Sequence, residues 1–152
     1  MLIYSKTVKC LLMILLHISL FILEYAGGSR HAATSNDVYG FGIILLEMMT
    51  GKRPTDPMFK DGVSIVNFVD SNFPREIFHV IDAHLTEECN NFSEAKKASE
   101  NAVHQCLVSV LQIALSCTNQ IASDRMNMKE IASRLQAIQT SYMSKGKNSM
   151  VP

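Results

Sequence analysis

One segment limits the fold more than any other: residues 35 to 50 predict a helix that is apolar on nearly every side. Thr34 and Asp37 form a capping-box pattern just before it, and Gly51 follows its last residue. Its apolar side chains surround the helix axis; they are Val38, Phe41, Ile43, Ile44, Leu45, Leu46, Met48 and Met49. Such a helix needs neighbours on all sides. We therefore expect it to be the central helix of a domain.

Two short helical segments are predicted after a loop that runs to about Gly62, because Pro54 and Pro57 keep the backbone of that loop out of helix. Ser64 can cap a helix that reaches Asn72. A further helical turn is expected at residues 76 to 80.

The carboxyl-terminal half predicts two longer helices. Residues 86 to 100 are polar, which indicates a weakly ordered connector. Apolar residues at three- and four-residue steps then predict a helix over residues 103 to 117. Asn127 caps a last helix that ends near Tyr142. No alternating run long enough for a sheet is present in the sequence, so the fold class is mainly α.

The amino-terminal residues carry an apolar run at positions 10 to 23, preceded by Lys6 and Lys9. At about 1.5 Å per residue this helix is about 21 Å long, shorter than the ~30 Å hydrocarbon core of a bilayer. Three interpretations stay open: a cleaved signal peptide, a short membrane anchor, or a buried helix. If it is buried, we expect it to pack on apolar surface around the helix at residues 35 to 50.

Composition excludes several classes of function. Apolar residues make up 47% of the 152 residues and charged residues 18%, which suits one globular domain. Fourteen basic residues balance 14 acidic ones, so no nucleic-acid partner is expected. The four cysteines show no C-x-x-C pair, and His79, His84 and Cys89 lack zinc-site spacing, so no metal site is expected.

Several motifs resemble one family. The segments that carry the resemblance are Asp37-Val38-Tyr39-Gly40-Phe41-Gly42, Leu45-Leu46-Glu47-Met48, Thr50-Gly51-Lys52-Arg53-Pro54, Val80-Ile81-Asp82, Ala114-Leu115-Ser116-Cys117-Thr118 and Asp124-Arg125-Met126. Together they resemble the carboxyl-terminal lobe of plant leucine-rich-repeat receptor-like serine/threonine kinases. The resemblance covers residues 24 to about 140. The chain is therefore expected to consist of an apolar leader at residues 1 to 23, a partial kinase lobe at residues 24 to 141 and a flexible tail at residues 142 to 152.

The resemblance also implies structural roles for three residues. By position, Asp37 would brace the catalytic loop of a kinase, whereas Glu24 and Arg125 would form a buried ion pair. Immediately before Glu24, however, Ile22-Leu23 stands where the family has Ala-Pro. Gly40 stands where the family usually has Ser, which costs the helix roughly 0.5–1 kcal/mol.

Phosphoryl transfer needs a glycine-rich loop, a strand lysine, an H-R-D motif and a D-F-G motif. None of the four occurs in the 152 residues. We therefore expect no catalytic, cofactor-binding or metal-binding residue in this chain, although the resembling family uses ATP and magnesium.

The main hypothesis is a truncated, inactive kinase lobe that is either membrane-associated or cytoplasmic. A second hypothesis is an interaction module that binds a kinase or a regulator through the exposed face of residues 35 to 50. A third is an active enzyme, if the transcript extends upstream.

Overall fold

A computed structural model of the chain describes residues 15–17, 20, 24, 34–90 and 96–148, without the side chains of residues 86, 88–90, 96–100 and 145–148. These ranges are mainly helical and contain no β-strand. Their helices are α1 (Ser35–Thr50), α2 (Ile65–Asp70), α3 (Ala83–Asn90), α4 (Lys96–Cys117) and α5 (Met128–Asn148). The 3-10 turn Ile77–His79 lies between α2 and α3, and the 3-10 turn Ala122–Asp124 lies between α4 and α5.

The first helix forms where the sequence predicts it, and side chains fix both of its ends. The Thr34 hydroxyl accepts a hydrogen bond from the Asp37 amide, and the Asp37 carboxylate accepts one from the Thr34 amide. At the other end Gly51 has φ of 68°, a left-handed conformation that glycine adopts without steric cost. Its amide donates to the Glu47 carbonyl at 2.9 Å, so the helix is closed at residue 51.

The core lies mainly between α1 and α4, and α5 and α2 extend it on either side. Several of its side chains are fully buried; they include Phe41, Leu45, Leu46, Met49, Leu107, Leu111, Ile131 and Leu135. Coverage of α1 is nevertheless incomplete, because Ile44 keeps 42% of its surface exposed. One edge of α1 is therefore open, which agrees with a helix that is buried on nearly all sides and keeps an exposed face.

A close crossing of α1 and α4 occurs at Gly42. A Cβ atom at this position would lie 2.6 Å from the Cβ of Cys117 and 2.7 Å from the Cγ2 of Thr118. Non-bonded carbon atoms do not approach each other this closely. Only glycine at position 42 therefore allows this separation between the two helices. Burial at the same crossing raises the pKa of the Cys117 thiol to about 12, which leaves it protonated at neutral pH.

Three boundaries differ from the sequence predictions. Residues 86 to 90 belong to α3, and α4 begins at Lys96, so much of the predicted connector is helical; residues 91–95 lie outside the described part. The last helix continues to Asn148, beyond the predicted end at Tyr142. Tyr142 is only 2% exposed and belongs to the core, because it packs under α4 instead of starting a tail. Residues 149–152 of the predicted tail are outside the description.

Most of the predicted leader also lies outside the described residues, but Leu15 is described and is fully buried in the core cluster. The burial of Leu15 is what the buried-helix interpretation expects at this residue, and the packing of residues 10 to 23 around α1 stays a prediction. Within the described residues, no helix has both the length and the apolar character needed to cross a bilayer.

Two glycines on α1 offer a matched test of this packing. Replacing Gly42 with alanine should destabilise the protein by about 1–3 kcal/mol, because the added methyl group forces α1 and α4 apart. Replacing Gly40 with alanine should stabilise it by about 0.5–1 kcal/mol, since a Cβ there meets no atom within 4 Å and alanine favours helix. Urea unfolding followed by circular dichroism measures both changes; equal effects at the two positions would contradict the described crossing.

Candidate functional site at the amino-terminal end of α1

Arg125 organises the region where α1 begins. This residue follows the 3-10 turn Ala122–Asp124, which packs beside α1. Its Nε donates to the Asn119 carbonyl at 2.7 Å, and its Nη1 donates to the Ser35 carbonyl at 3.0 Å. The second bond joins residues that are 90 positions apart in the chain. Arg125 therefore fixes the loop after α4 against the first turn of α1.

The guanidinium of Arg125 also lies over an aromatic ring. Its central carbon is 4.8 Å from the centroid of the Tyr39 ring, within the range of a cation–π interaction. Tyr39 is one helical turn after Ser35, so one side of the guanidinium contacts α1 through both a carbonyl and a ring. A lysine could not reproduce this contact, because its ammonium has no planar fork with which to reach two carbonyls and stack.

Asp37 is engaged by its own helix cap. Its Oδ2 accepts hydrogen bonds from the Thr34 amide at 2.7 Å and from the Thr34 hydroxyl at 2.8 Å. These bonds favour the ionised carboxylate, so the backbone bond first and the hydroxyl bond second lower the pKa of Asp37. Asp37 lies in the first turn of α1, where the positive end of the helix dipole stabilises a negative charge.

The sequence analysis singled out Glu24, Asp37 and Arg125, and of these the structure places Arg125 beside the helical turn that carries Asp37. Arg125 contacts Ser35 and Tyr39, which flank Asp37 on the first turn of α1. Glu24 is exposed. The ion pairs in the described part of the chain join His79 to Glu76 and Arg134 to Glu130, so a pair between Glu24 and Arg125 is not among them. The roles that the family resemblance implies for these residues stay predictions.

Sequence reasoning missed the partners of Arg125. The contacts with Ser35 and Asn119 use backbone carbonyls, which carry no residue-specific signal. Tyr39 is an aromatic residue in an apolar helix, so its sequence context predicts core packing as readily as a cation–π contact.

A second concave feature lies between α4 and α5. This groove has a volume of about 250 Å³ and is lined by Ala102, Gln105, Cys106, Ser109, Ala137, Ile138, Ser141 and Tyr142. None of these described lining residues is Asp, Glu, Lys, Arg or His. The groove therefore offers no charged group for holding phosphates or a metal ion. Across the described residues, no group of three His, Cys, Asp or Glu side chains is placed to bind a metal.

Replacing Arg125 with alanine should lower the free energy of unfolding by about 1–3 kcal/mol, because two charge-assisted hydrogen bonds and the ring contact are lost. Arg134→Ala is the matched control, since its exposed ion pair with Glu130 contributes at most about 0.5 kcal/mol. Chemical denaturation of both variants measures the difference. Equal losses for the two arginines would show that Arg125 does not hold the loop against α1.

Comparisons with known proteins give one consistent group of relatives. The chain is 32% identical to the receptor kinase-like protein Xa21 of Oryza sativa subsp. japonica over 116 residues, which are 76% of this chain and 11% of the relative. It is 36% identical to the LRR receptor-like serine/threonine-protein kinase RGI2 of Arabidopsis thaliana over 118 residues, which are 78% of this chain and 9% of the relative. No protein-family model matches the chain.

A third relative agrees with these two. The leucine-rich repeat receptor-like protein kinase TDR of Arabidopsis thaliana is 32% identical over 118 residues, covering 76% of this chain and 10% of the relative. The chain thus spans about a tenth of the length of the curated relatives it matches. Its homologues are plant receptor-like kinases.

Proposed function

We propose that this chain is a portion of a plant leucine-rich-repeat receptor-like serine/threonine kinase, equivalent to part of the carboxyl-terminal lobe, and that it does not transfer phosphate by itself. The observation that carries the proposal is the similarity to these kinases over about three quarters of the chain. The mainly helical fold around α1 supports it. In such a protein α1 serves as the scaffold on which neighbouring elements pack.

Loss of catalysis follows from the chemistry that phosphoryl transfer requires. The γ-phosphate needs metal ions to neutralise its developing charge, and the metals need carboxylate and amide ligands held in place. The 152 residues contain neither an H-R-D nor a D-F-G motif. The uncharged lining of the groove between α4 and α5 gives no substitute site. This polypeptide is therefore a structural part of a kinase and not its catalytic part.

The Arg125 contacts fit a scaffold role. An arginine that joins the loop after α4 to the first turn of α1 makes that end of the helix rigid. In the proposed lobe, Glu24 would approach the part of the Arg125 guanidinium that faces away from these carbonyls. Asp37 would exchange its Thr34 contacts for backbone amides of a catalytic loop supplied by the rest of a kinase. The protein would be cytoplasmic, or attached to a membrane with its kinase-like part in the cytosol.

A labelling experiment tests the absence of catalysis. The purified 152-residue chain is incubated with magnesium, ATP labelled at the γ-phosphate and a generic serine/threonine substrate protein. The Leu46→Asp variant places a charge at a fully buried position of α1 and should not fold. Purified in the same way, it carries the same contaminating enzymes and therefore gives the background labelling. We expect labelling equal to that background. Magnesium-dependent labelling above it, in proportion to the amount of folded chain, would overturn the proposal.

A second candidate function is a non-catalytic interaction module, and one feature of α1 favours it. Gly40, Ile44 and Glu47 follow one another at three- and four-residue steps and therefore share a face of the helix. A Cβ at Gly40 would meet no atom within 4 Å, and Ile44 is 42% exposed. This open stripe lies on a helix whose opposite face is buried, and it is a candidate docking surface for a kinase or a regulatory protein.

The stripe is tested by binding to the intact kinase domain of a relative such as Xa21. An interaction module should bind with micromolar affinity, and Ile44→Asp should weaken binding at least tenfold because it places a charge in the apolar contact. Met143→Asp is the matched control, since Met143 is equally exposed, at 44%, but lies on α5. Isothermal titration calorimetry measures both variants. No binding at 100 µM chain, or equal loss with both variants, would exclude this function.

A further inference from the structure

The charged side chains of α1 all carry the same sign. This helix contains Asp37 and Glu47 and has no lysine, arginine or histidine. Counted from Gly40 at about 100° per residue, Asp37 lies about 60° and Glu47 about 20° around the helix. Both acidic residues are therefore on the same side of α1 as Ile44. The open stripe is thus apolar at its centre and acidic toward each end.

Neither carboxylate is paired with a cation in the part of the chain that the structure describes. The Asp37 carboxylate accepts hydrogen bonds from the Thr34 amide and hydroxyl, which are neutral donors, so its negative charge remains. Glu47 belongs to neither of the ion pairs found there. Arg125 lies over Tyr39, which is about 100° around α1 from Gly40, so its charge is beside the stripe and not on it.

The centre of the stripe has a hollow next to a projecting side chain. A Cβ at Gly40 would meet no atom within 4 Å, whereas Ile44, about one turn later, is 42% exposed. Ile43 and Met48 flank the stripe, and both are partly buried and pack against the core. The hollow can receive an apolar side chain from a partner helix while Ile44 contacts the same helix. This is the shape that helix-in-groove recognition uses.

Charge disfavours a second copy of the chain as the occupant. In an antiparallel pair of α1 helices that sets Ile44 of each copy over Gly40 of the other, Asp37 of one copy lies opposite Glu47 of the other. In a parallel pair, each of these charges lies opposite its own counterpart. Both arrangements place like charges against each other, which costs several kcal/mol. An anionic lipid surface is repelled for the same reason.

From these observations we infer that the open stripe binds a helix of opposite charge, which is apolar along one side and basic at both ends of that side. A large apolar side chain of the partner fills the hollow at Gly40. Lysine or arginine residues about 15 Å apart along its axis meet Asp37 and Glu47. This partner chemistry rests on the interaction-module function proposed above for the stripe and narrows it to basic amphipathic helices.

Two stapled helical peptides with the same leucine positions test the charge preference. One carries arginine at both ends of its apolar side, and the other carries glutamate there. Isothermal titration calorimetry should show at least about tenfold tighter binding of the arginine peptide. Glu47→Lys should reduce this preference at least about fivefold, and a lysine near the carboxyl-terminal end of α1 does not oppose folding. Glu130→Lys is the control, since this exposed acid lies on α5, and it should leave the preference within about twofold.

Equal binding of the two peptides, tighter binding of the glutamate peptide, or no binding of either would overturn the inference. The titration of Ile44→Asp with the intact kinase domain decides separately whether the stripe docks any partner. Sedimentation of the chain alone, at the concentration used for titration, tests for a second copy. We expect a monomer, and a dimer that Ile44→Asp dissociates would show that the stripe binds another copy and would overturn the inference.

Discussion

The packing of α1 against α4 is the contact on which the rest of the fold depends. α1 has buried or partly buried side chains on most of its circumference, so it needs a set of neighbours around it. Gly42 lets α4 approach closely, and α5 and α2 then cover the remaining apolar surface of the pair. Because packing density in such cores is close to that of organic crystals, a single added methyl group at the crossing affects the whole domain.

Long-range contacts at both ends of α1 hold the connecting segments in place. At its carboxyl-terminal end, the Asp82 amide donates to the Met49 carbonyl at 2.9 Å, so the segment before α3 is attached to the last turn of α1. At its amino-terminal end, Arg125 attaches the segment before α5 to the first turn through the Ser35 carbonyl. The helix thus supplies carbonyl acceptors and a buried surface to parts of the chain that are distant in sequence. This arrangement lets one helix hold several connecting segments of the described part of the chain.

The sequence predicted the first residues of helices well where a side chain caps the amino-terminal end of the helix. Thr34, Ser64 and Asn127 each accept a hydrogen bond from a backbone amide three residues later, as predicted. The predicted start of α4 was wrong, because the first residues of this helix show no regular spacing of apolar side chains. The start of α4 is rich in Lys, Ala, Ser and Glu, which are polar or small, yet Lys, Ala and Glu have high helix propensity. Polarity alone therefore suggested a connector.

Contacts between distant residues were the least predictable part of the candidate site. Sequence similarity drew attention to Arg125 and Asp37, but the backbone partners of Arg125 and its position over Tyr39 depend on how the loop after α4 meets α1. An exposed face of residues 35 to 50 was expected from the sequence, but an apolar residue in an apolar helix gives no sign that Ile44 lies on that face. Hydrogen exchange followed by mass spectrometry tests the central claim most directly. If α1 is the scaffold of the domain, amides of residues 41 to 49 should exchange slowest, at a rate set by global unfolding. Exchange in α1 as fast as in the short helix α2 would contradict the claim.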